Sequence, residues 1–462
     1  MAPGKGGRSI RNLAHDRYTV MAATGSLFRL RSLVVVGFIL WMTGTHAQSW
    51  ELEQQLTVGA YDTTSHVEVA LLNNVLVVGV SSAEGGHIEL RQRQQGGLDQ
   101  WGVLEVFDST DPWFGYSLAL RDGMLAVGAP GAAGHSGNVR LFGIDLEDQL
   151  DPLVDLGLMP FTDLLPDDRF GYSLAWLGDT LAVGAVGRTG FRRQGAVLLF
   201  AGGVNGSNAI GELPVDPDRG QVPFQRWFGT SITRSVDRLA VAASFTGFQE
   251  NEPRENIGTV HVYHRDGATS AGWSLDTVLF DVTPRANPCV FFERVELGRE
   301  GLAFMDDLLV VDHSSFYTGT TGDDLVPWRS HGNGVAGCPE CALRIISNAG
   351  AWDMGTAVII GQAPDQARSV EGWSAYDDRL FVNRYQSTEP NWETVIHQRD
   401  QGGANAWGIV GIPLPEIDPC DVLSGPVVVN SGVLLRTSLR RDPGCDVPLG
   451  TMRLDLQIFQ QQ

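Results

Sequence analysis

The stretch Phe114-Gly115-Tyr116-Ser117-Leu118-Ala119-Leu120-Arg121-Asp122-Gly123-Met124-Leu125-Ala126-Val127-Gly128-Ala129-Pro130 holds two short apolar runs around an Asp-Gly pair. Tyr116, Leu118 and Leu120 alternate with Ser117 and Ala119, the period of a strand rather than a helix. Asp-Gly tolerates the positive φ of a tight hairpin, so the two runs are predicted to pair antiparallel. The same phrase returns at 170–185 (FGYSLAWLGDTLAVGA) and at 228–243 (FGTSITRSVDRLAVAA). Each copy leads through a loop to a third short run ending in an aromatic: NVRLF at 138–142, AVLLF at 196–200 and TVHVY at 259–263.

Weaker copies extend the pattern outward in both directions. Val67–Val80 leads to HIELR at 87–91, Val295–Val311 to ALRII at 342–346, Val370–Asn383 to TVIHQ at 394–398, and Val427–Arg436 to RLDLQIF at 453–459. Tight turns are expected at Asn73-Asn74, Asp122-Gly123, Gly178-Asp179, Asp306-Asp307, Asp377-Asp378 and Ser431-Gly432. A fourth strand lies between units, opened by Trp50, Trp101, Trp273, Trp352 or Trp407, with Leu153 and Ile210 in the equivalent places. No helix of any length is expected. Four strands repeated in seven units are the arithmetic of an all-β, seven-bladed β-propeller, although the weak units leave the count open by one. Residues 48–462 are expected to form this one domain. An open β-solenoid or two packed sandwiches are the competing arrangements. The domain begins on a fourth-strand sequence, Trp50–Leu56, and ends on a third-strand sequence, Arg453–Phe459. The first strand is therefore expected to complete the last blade and close the ring, which removes exposed sheet edges.

The phrases FGYSLALRDGMLAVGAP and FGYSLAWLGDTLAVGA resemble the FG-GAP repeat, which forms the seven-bladed propeller of integrin α-subunits and also occurs in secreted bacterial proteins. The likeness is strong at 114–142 and 170–200, fair at 228–263 and poor in the other four units. It implies adhesion or ligand binding without catalysis by the propeller. The repeating Phe114, Gly115, Phe170, Gly171, Phe228 and Gly229 are expected to pack blades together. Many members also bind calcium in DxDxDG-type loops. Here the loop Gly131-Ala132-Ala133-Gly134-His135-Ser136-Gly137 has no carboxylate, and Asp216-Pro217-Asp218-Arg219-Gly220 lacks the further acids a hard cation needs. No cofactor is therefore expected, with calcium kept as the alternative.

Composition narrows the function classes. The 462 residues are 43% hydrophobic and 19% charged, which is ordinary globular material, and 56 glycines point to many turns. Acidic residues outnumber basic ones 54 to 33 for a formal charge of −21, so a phosphate backbone is repelled and nucleic acid is not an expected partner. The single lysine is Lys5. Schiff-base chemistry, a Walker-type loop and a Ser-Lys dyad are thereby excluded from the domain.

Arg29 and Arg31 precede the apolar run Leu33–Met42, and Thr45-His46-Ala47 follows with small residues where a signal peptidase reads. Residues 1–47 thus read as a leader carrying a secretory signal, with Met21 giving the more usual leader length. Export to the periplasm or outside the cell is expected, with no membrane span in the mature chain. All five cysteines come late, and export permits disulfides among them. Cys420 with Cys445, and Cys289 with Cys338 or Cys341, are the candidate pairs, leaving one thiol over. The Cys338-Pro-Glu-Cys341 spacing reads as structural rather than as zinc or redox.

Propeller geometry places the strand 2–3 and strand 4–1 loops on one face. The long ones here are 215–226, 244–258, 282–294 and 312–341, and function tends to sit on such loops. The richest holds His313, Phe316, Tyr317, Asp323, Asp324, Trp328, Arg329 and His331, a mixture of aromatic, acidic and basic groups suited to a polar ligand. Trp392 joins Trp328 as a candidate stacking surface. Trp113 and Trp227 precede the Phe-Gly pair and are expected in the core. Hydrolase signals are poor: GxSxG and HExxH are absent, Asp312-His313-Ser314 is contiguous rather than convergent, and His261 and His264 point to opposite faces of one strand. The expected function is non-enzymatic binding of a protein or carbohydrate through the long-loop face. A carbohydrate-active hydrolase or lyase on that face, or a purely structural surface component, are the alternatives.

Overall fold

The computed structural model describes residues 50–62, 65–147, 151–161, 163–188, 194–201, 208–215, 225–246, 258–267, 272–279, 294–305, 308–316, 342–347, 358–360, 368–386, 391–400, 407–410, 421–422, 427–440 and 451–461. The chain divides into units 1–46 and 47–462, and every described residue belongs to the second.

Strand β1 spans Trp50–Asp62. The first sheet follows: β2 (His66–Leu72), β3 (Val75–Ser82), β4 (Gly85–Arg93) and β5 (Trp101–Ser109). The second is β6 (Ser117–Arg121), β7 (Met124–Ala129), β8 (Asn138–Ile144) and β9 (Leu153–Leu158). The third is β10 (Phe170–Leu177), β11 (Thr180–Ala185), β12 (Ala196–Ala201) and β13 (Asn208–Glu212). The fourth is β14 (Gln225–Arg234), β15 (Arg238–Thr246), β16 (Thr259–Arg265) and β17 (Trp273–Leu279). The fifth is β18 (Arg294–Met305), β19 (Leu308–Phe316), β20 (Ala342–Ser347) and β21 (Val358–Ile360). The sixth is β22 (Arg368–Tyr376), β23 (Arg379–Gln386), β24 (Asn391–Arg399) and β25 (Trp407–Ile409). All pair antiparallel in chain order, the up-and-down meander of a β-propeller blade.

The last sheet departs from the expected four strands. It holds β26 (Asp421–Val422), β27 (Val427–Asn430), β28 (Val433–Arg440) and β29 (Thr451–Gln461), with β1 on its outer edge, five strands in all. Short β27 pairs the first half of β28 and β26 its end, so one strand position is broken into two pieces. β1 runs antiparallel to β29 from Trp50↔Gln461 to Asp62↔Thr451, with two register shifts. The structure is thus an all-β propeller with six four-stranded blades and a further five-stranded sheet.

Five of the six expected turns are described, and hairpins form at each; Asp306-Asp307 lies outside the described residues. Two-residue turns join Leu72↔Val75, Arg121↔Met124, Leu177↔Thr180, Tyr376↔Arg379 and Asn430↔Val433. Asn73, Gly123, Gly178, Asp377 and Gly432 carry the required positive φ. The strand expected from Ile210 opens at Asn208, while Trp352 lies outside the described residues and its strand is described at Val358–Ile360. One helical turn occurs among the described residues, Ala132–His135, with Ala133 and Gly134 at left-handed φ inside it. β15 and β19 also run further than expected, to Thr246 and Phe316, and consume the start of two long loops.

The core lies between sheets. Val77, Ile88 and Leu90 of the first pack on Phe114, Leu118 and Val127 of the second, and similar seams follow from sheet to sheet. The five-stranded sheet has a seam on each side. Leu434 and Phe459 pack on Phe381 and Ile396, while Leu435, Leu456 and Ile458 pack on Val67, Val69 and Val78. Trp101 and Trp273 are buried in these seams, and Trp50 meets Phe381 edge-on at 5.6 Å, so the recurring tryptophans are packing residues.

Candidate functional site

The Phe-Gly motif builds the seams of the best-conserved stretch of repeats within the chain. Phe114, Phe170 and Phe228 are buried, and the glycines after them hold φ of +89°, +87° and +97°. A side chain on Gly171 would meet Asn138 O at 2.5 Å, and one on Gly229 would meet Ala196 O at 2.9 Å, both in the preceding blade. Gly79, Gly128 and Gly184, in the second strand of each blade, abut the carbonyl of the next blade's Phe-Gly glycine. The serine of the phrase locks the contact: Ser117 Oγ donates to Gly171 O at 2.7 Å and Ser173 Oγ to Gly229 O at 2.6 Å. Every part of this phrase is occupied by packing, so it is scaffold.

An aromatic belt runs along the long-loop end of the inner strands. His66 stacks on Tyr116 at 4.5 Å, Tyr116 meets Trp113 at 6.0 Å and Tyr172 at 5.1 Å, and Tyr172 meets Trp227 at 6.1 Å. The Arg169 guanidinium lies 5.4 Å from the Trp227 ring centre. Trp113, Arg169 and Trp227, each just before a Phe-Gly pair, take positive φ, which costs about 1–2 kcal/mol per non-glycine residue. Ring contacts return about 0.5–1.5 kcal/mol apiece. The belt stiffens the first four blades, and its rings face one another rather than a ligand.

An open cleft of about 380 Å³ lies on the same face, over the first blade beside the end of β1. Tyr61, Ser81, Glu84, His87, Asp108 and Ser109 are among its lining. It exists because the β3–β4 connection is a two-residue turn, Ser82↔Gly85, where later blades use longer loops. Gly85 and Gly86 let this turn lie flat: a side chain on Gly85 would meet Ser109 O at 2.5 Å. Tyr61 Oη lies 3.4 Å from His87 Nε2, with the two rings tilted by 32° at 5.7 Å. Asp108 sits opposite His87 on the neighbouring strand. Below them Arg91 donates through Nε and one terminal nitrogen to Glu89, at 2.9 and 2.7 Å, in a buried pair. Ser81 is 1% exposed and its Oγ has no hydrogen-bond partner. A buried hydroxyl left so costs about 1–3 kcal/mol.

Burial, reinforced by the Glu89 charge and opposed by Arg91, holds the Tyr61 phenol well above its ordinary pKa. Burial does the same to Tyr263, which donates to Pro214 O at 3.1 Å. Both phenols therefore stay protonated where tyrosines of the unfolded chain ionise, near pH ~10. Above that pH the unfolded state binds fewer protons, so stability falls as pH rises. Tyr61→Phe is expected to flatten this fall in urea titrations between about pH 10 and 12. A slope equal to wild type would remove Tyr61 from the account.

No family model matches the sequence, and no curated protein matches it. Solved structures with some likeness include a post-proline cleaving enzyme from Rickettsia typhi, at 9% identity over 84% of this chain and 50% of that chain, TM-score 0.40. The CNH domain of AfRom2 gives 9% identity over 87% of this chain and 98% of that one, TM-score 0.40. Sqt1 from Chaetomium thermophilum gives 12% identity over 89% and 100%, TM-score 0.41. This chain spans about half the length of the Rickettsia enzyme. Likenesses at this level carry nothing on activity, and the fold stands on the sheets described above.

Of the sequence-derived ligand residues, His313, Phe316 and Trp392 are described. His313 and Phe316 belong to β19, where His313 pairs with Leu297 and Ala342 and Phe316 with Arg294, so they are strand rather than loop residues. Trp392 is likewise within β24, opposite Tyr385. Tyr317, Asp323, Asp324, Trp328, Arg329 and His331 lie outside the described residues, as do Cys289, Cys338, Cys341, Cys420 and Cys445 and the Asp216–Gly220 run. Trp113 and Trp227 are buried as expected. His261 is fully buried against Phe228, whereas His264 is outside, 3.7 Å from Asp276. Tyr61, His87 and Asp108 were not legible as a group. Their one sequence signal is the Ser81-Ser82…Gly85-Gly86 turn, shorter than the equivalent loops. Among the described residues no three His, Cys, Asp or Glu side chains converge as metal ligands, and no helix is long and apolar enough to cross a membrane.

Proposed function

We propose that the chain is an exported FG-GAP-type propeller of seven blades, which binds a protein or carbohydrate partner on its long-loop face without catalysing a reaction. The five-stranded sheet is the seventh blade in this reading, with β26 and β27 as its interrupted inner strand and β1 as its outer one. The β1–β29 pairing and the apolar seams on both sides of that sheet support a ring closed by the first strand. The Phe-Gly seams support the family reading, and the Leu33–Met42 run supports export.

One observation carries the binding function: the motif residues are consumed by packing, while an open cleft over the first blade brings Tyr61, His87 and Asp108 together on the long-loop face. A hydrolase or lyase is the second reading, favoured by Tyr61, His87 and Asp108 in one cleft. The phenol weighs against it. A tyrosine held protonated donates hydrogen bonds but is a poor base near neutral pH. The test exposes the purified exported form to a panel of polysaccharides and peptidoglycan, then assays retention and new soluble oligosaccharides. Retention on one polymer without products is the expected result. Products that disappear on His87→Ala would make this an enzyme.

A further inference from the structure

We infer that the protein carries a second binding site, for a carboxylate ligand, on the face opposite the long loops. An open cleft of about 440 Å³ lies there, within the usual range for small ligands. Its walls come from the hairpin ends of the first strands of four consecutive sheets. Asn73 follows β2, Arg121 closes β6 with Asp122 after it, Trp176 is near the end of β10, and Arg234 closes β14. Consecutive first strands adjoin one another, so these ends meet around the propeller axis. The site is therefore separate from the cleft beside Tyr61, which lies over the first blade at the long-loop end.

Two arginines select the ligand's charge. Arg234 is exposed and makes no ion pair among the described residues, so its guanidinium keeps its donors for a ligand. Arg121 is a fixed charge in the wall. Its guanidinium lies 4.3 Å from the Trp176 ring centre, and Nη1 donates to Gly178 O at 3.3 Å and to Asp179 Oδ1 at 2.7 Å. The tryptophan is pinned in turn, with Nε1 donating to Ala119 O at 3.0 Å. A charge held in this way loses little freedom when a ligand binds. The Asp179 side chain is 93% exposed, so water screens that pair and the wall stays positive. Asp122 is the one carboxylate among the described lining residues. Leu72, Leu120 and Leu174 line the cleft as well, which suits a carboxylate carried on an apolar or C–H-rich body, a peptide terminus or an acidic sugar. The formal −21 of the chain does not cancel this preference, because exposed charges beyond about 8 Å are largely screened at physiological ionic strength.

Saturation-transfer NMR on the purified protein tests this with two carboxylates, N-acetyl-leucine for a peptide terminus and methyl glucuronide for an acidic sugar. N-acetyl-leucine amide and methyl glucoside are their neutral counterparts. At least one carboxylate is expected to bind, with its neutral counterpart about ten-fold weaker. Which of the two binds identifies the source. Arg234→Gln is expected to weaken that binding about ten-fold, and Asp122→Asn to tighten it about two-fold. Both residues are exposed, so neither variant threatens the fold. Absence of binding by both carboxylates overturns the inference, as does equal binding of a carboxylate and its neutral counterpart. So does carboxylate binding that is unchanged in both variants. Polymer retention through the long-loop face is expected to survive Arg234→Gln, so failure of this site and failure of the proposed function are read separately.

Discussion

Gly171→Val is expected to destabilise the fold by about 2–5 kcal/mol, enough to consume much of the stability of an ordinary domain. Two costs combine at this position. The residue holds φ +87°, where a side chain costs about 1–2 kcal/mol. Its Cβ would also meet Asn138 O at 2.5 Å, Val139 Cγ2 at 3.0 Å and Gly128 Cα at 3.1 Å, atoms of the neighbouring blade that cannot retreat without opening the seam. Overpacking of this kind adds about 1–3 kcal/mol. Gly178→Val is the control, because Gly178 has a similar φ of +71° and nothing within 4 Å of its Cβ. Urea unfolding of both variants, with m-values compared, separates strain from packing. Equal midpoints for the two would sink the account of the Phe-Gly seam as a close inter-blade contact.

Removing residues 48–62 is expected to cost about 3–5 kcal/mol and to make the protein aggregate. The deletion takes away the partner of β29 over its whole length and exposes a row of unpaired backbone groups. It also strips Leu56, Val58 and Tyr61 from the seam with the first blade and Trp50 from the seam with the sixth. Size-exclusion chromatography and limited proteolysis read the outcome. A truncated chain that elutes like the parent and is as protease-resistant would contradict closure of the ring by the first strand. The same deletion removes Tyr61 from the cleft, so the cleft is expected to depend on this strand as well.

Much of the architecture was legible because repeats state the same physics several times. Alternation, a turn residue with positive φ, and a Phe-Gly pair recur together at 114–129, 170–185 and 228–243, and the structure puts hairpins and seams at each. Agreement across copies filters out the ambiguity of any one short run. The last sheet was less legible. Its inner strand is split between Asp421–Val422 and Val427–Asn430, and no local pattern announces that two short pieces share one partner. The start of the expected ligand loop was misplaced for a different reason. Richness in polar and aromatic residues does not say where a strand stops, and β19 carries His313 and Phe316 into the sheet by pairing them with β18 and β20.

The amino-acid sequence by itself determined the strand period, the hairpin turns and the glycine positions, because each follows from interactions between residues a few places apart. It also determined the acidic surface and the absence of lysine chemistry from the domain. Only the tertiary structure decided which polar side chains share a cavity. Tyr61 leaves a strand whose hydrogen-bonding partner, β29, is at the far end of the chain, while His87 and Asp108 sit near the ends of two different strands of the first blade. Their convergence depends on how one sheet is set against the next, and that arrangement is fixed by close contacts between blades rather than by anything written in the neighbourhood of those residues.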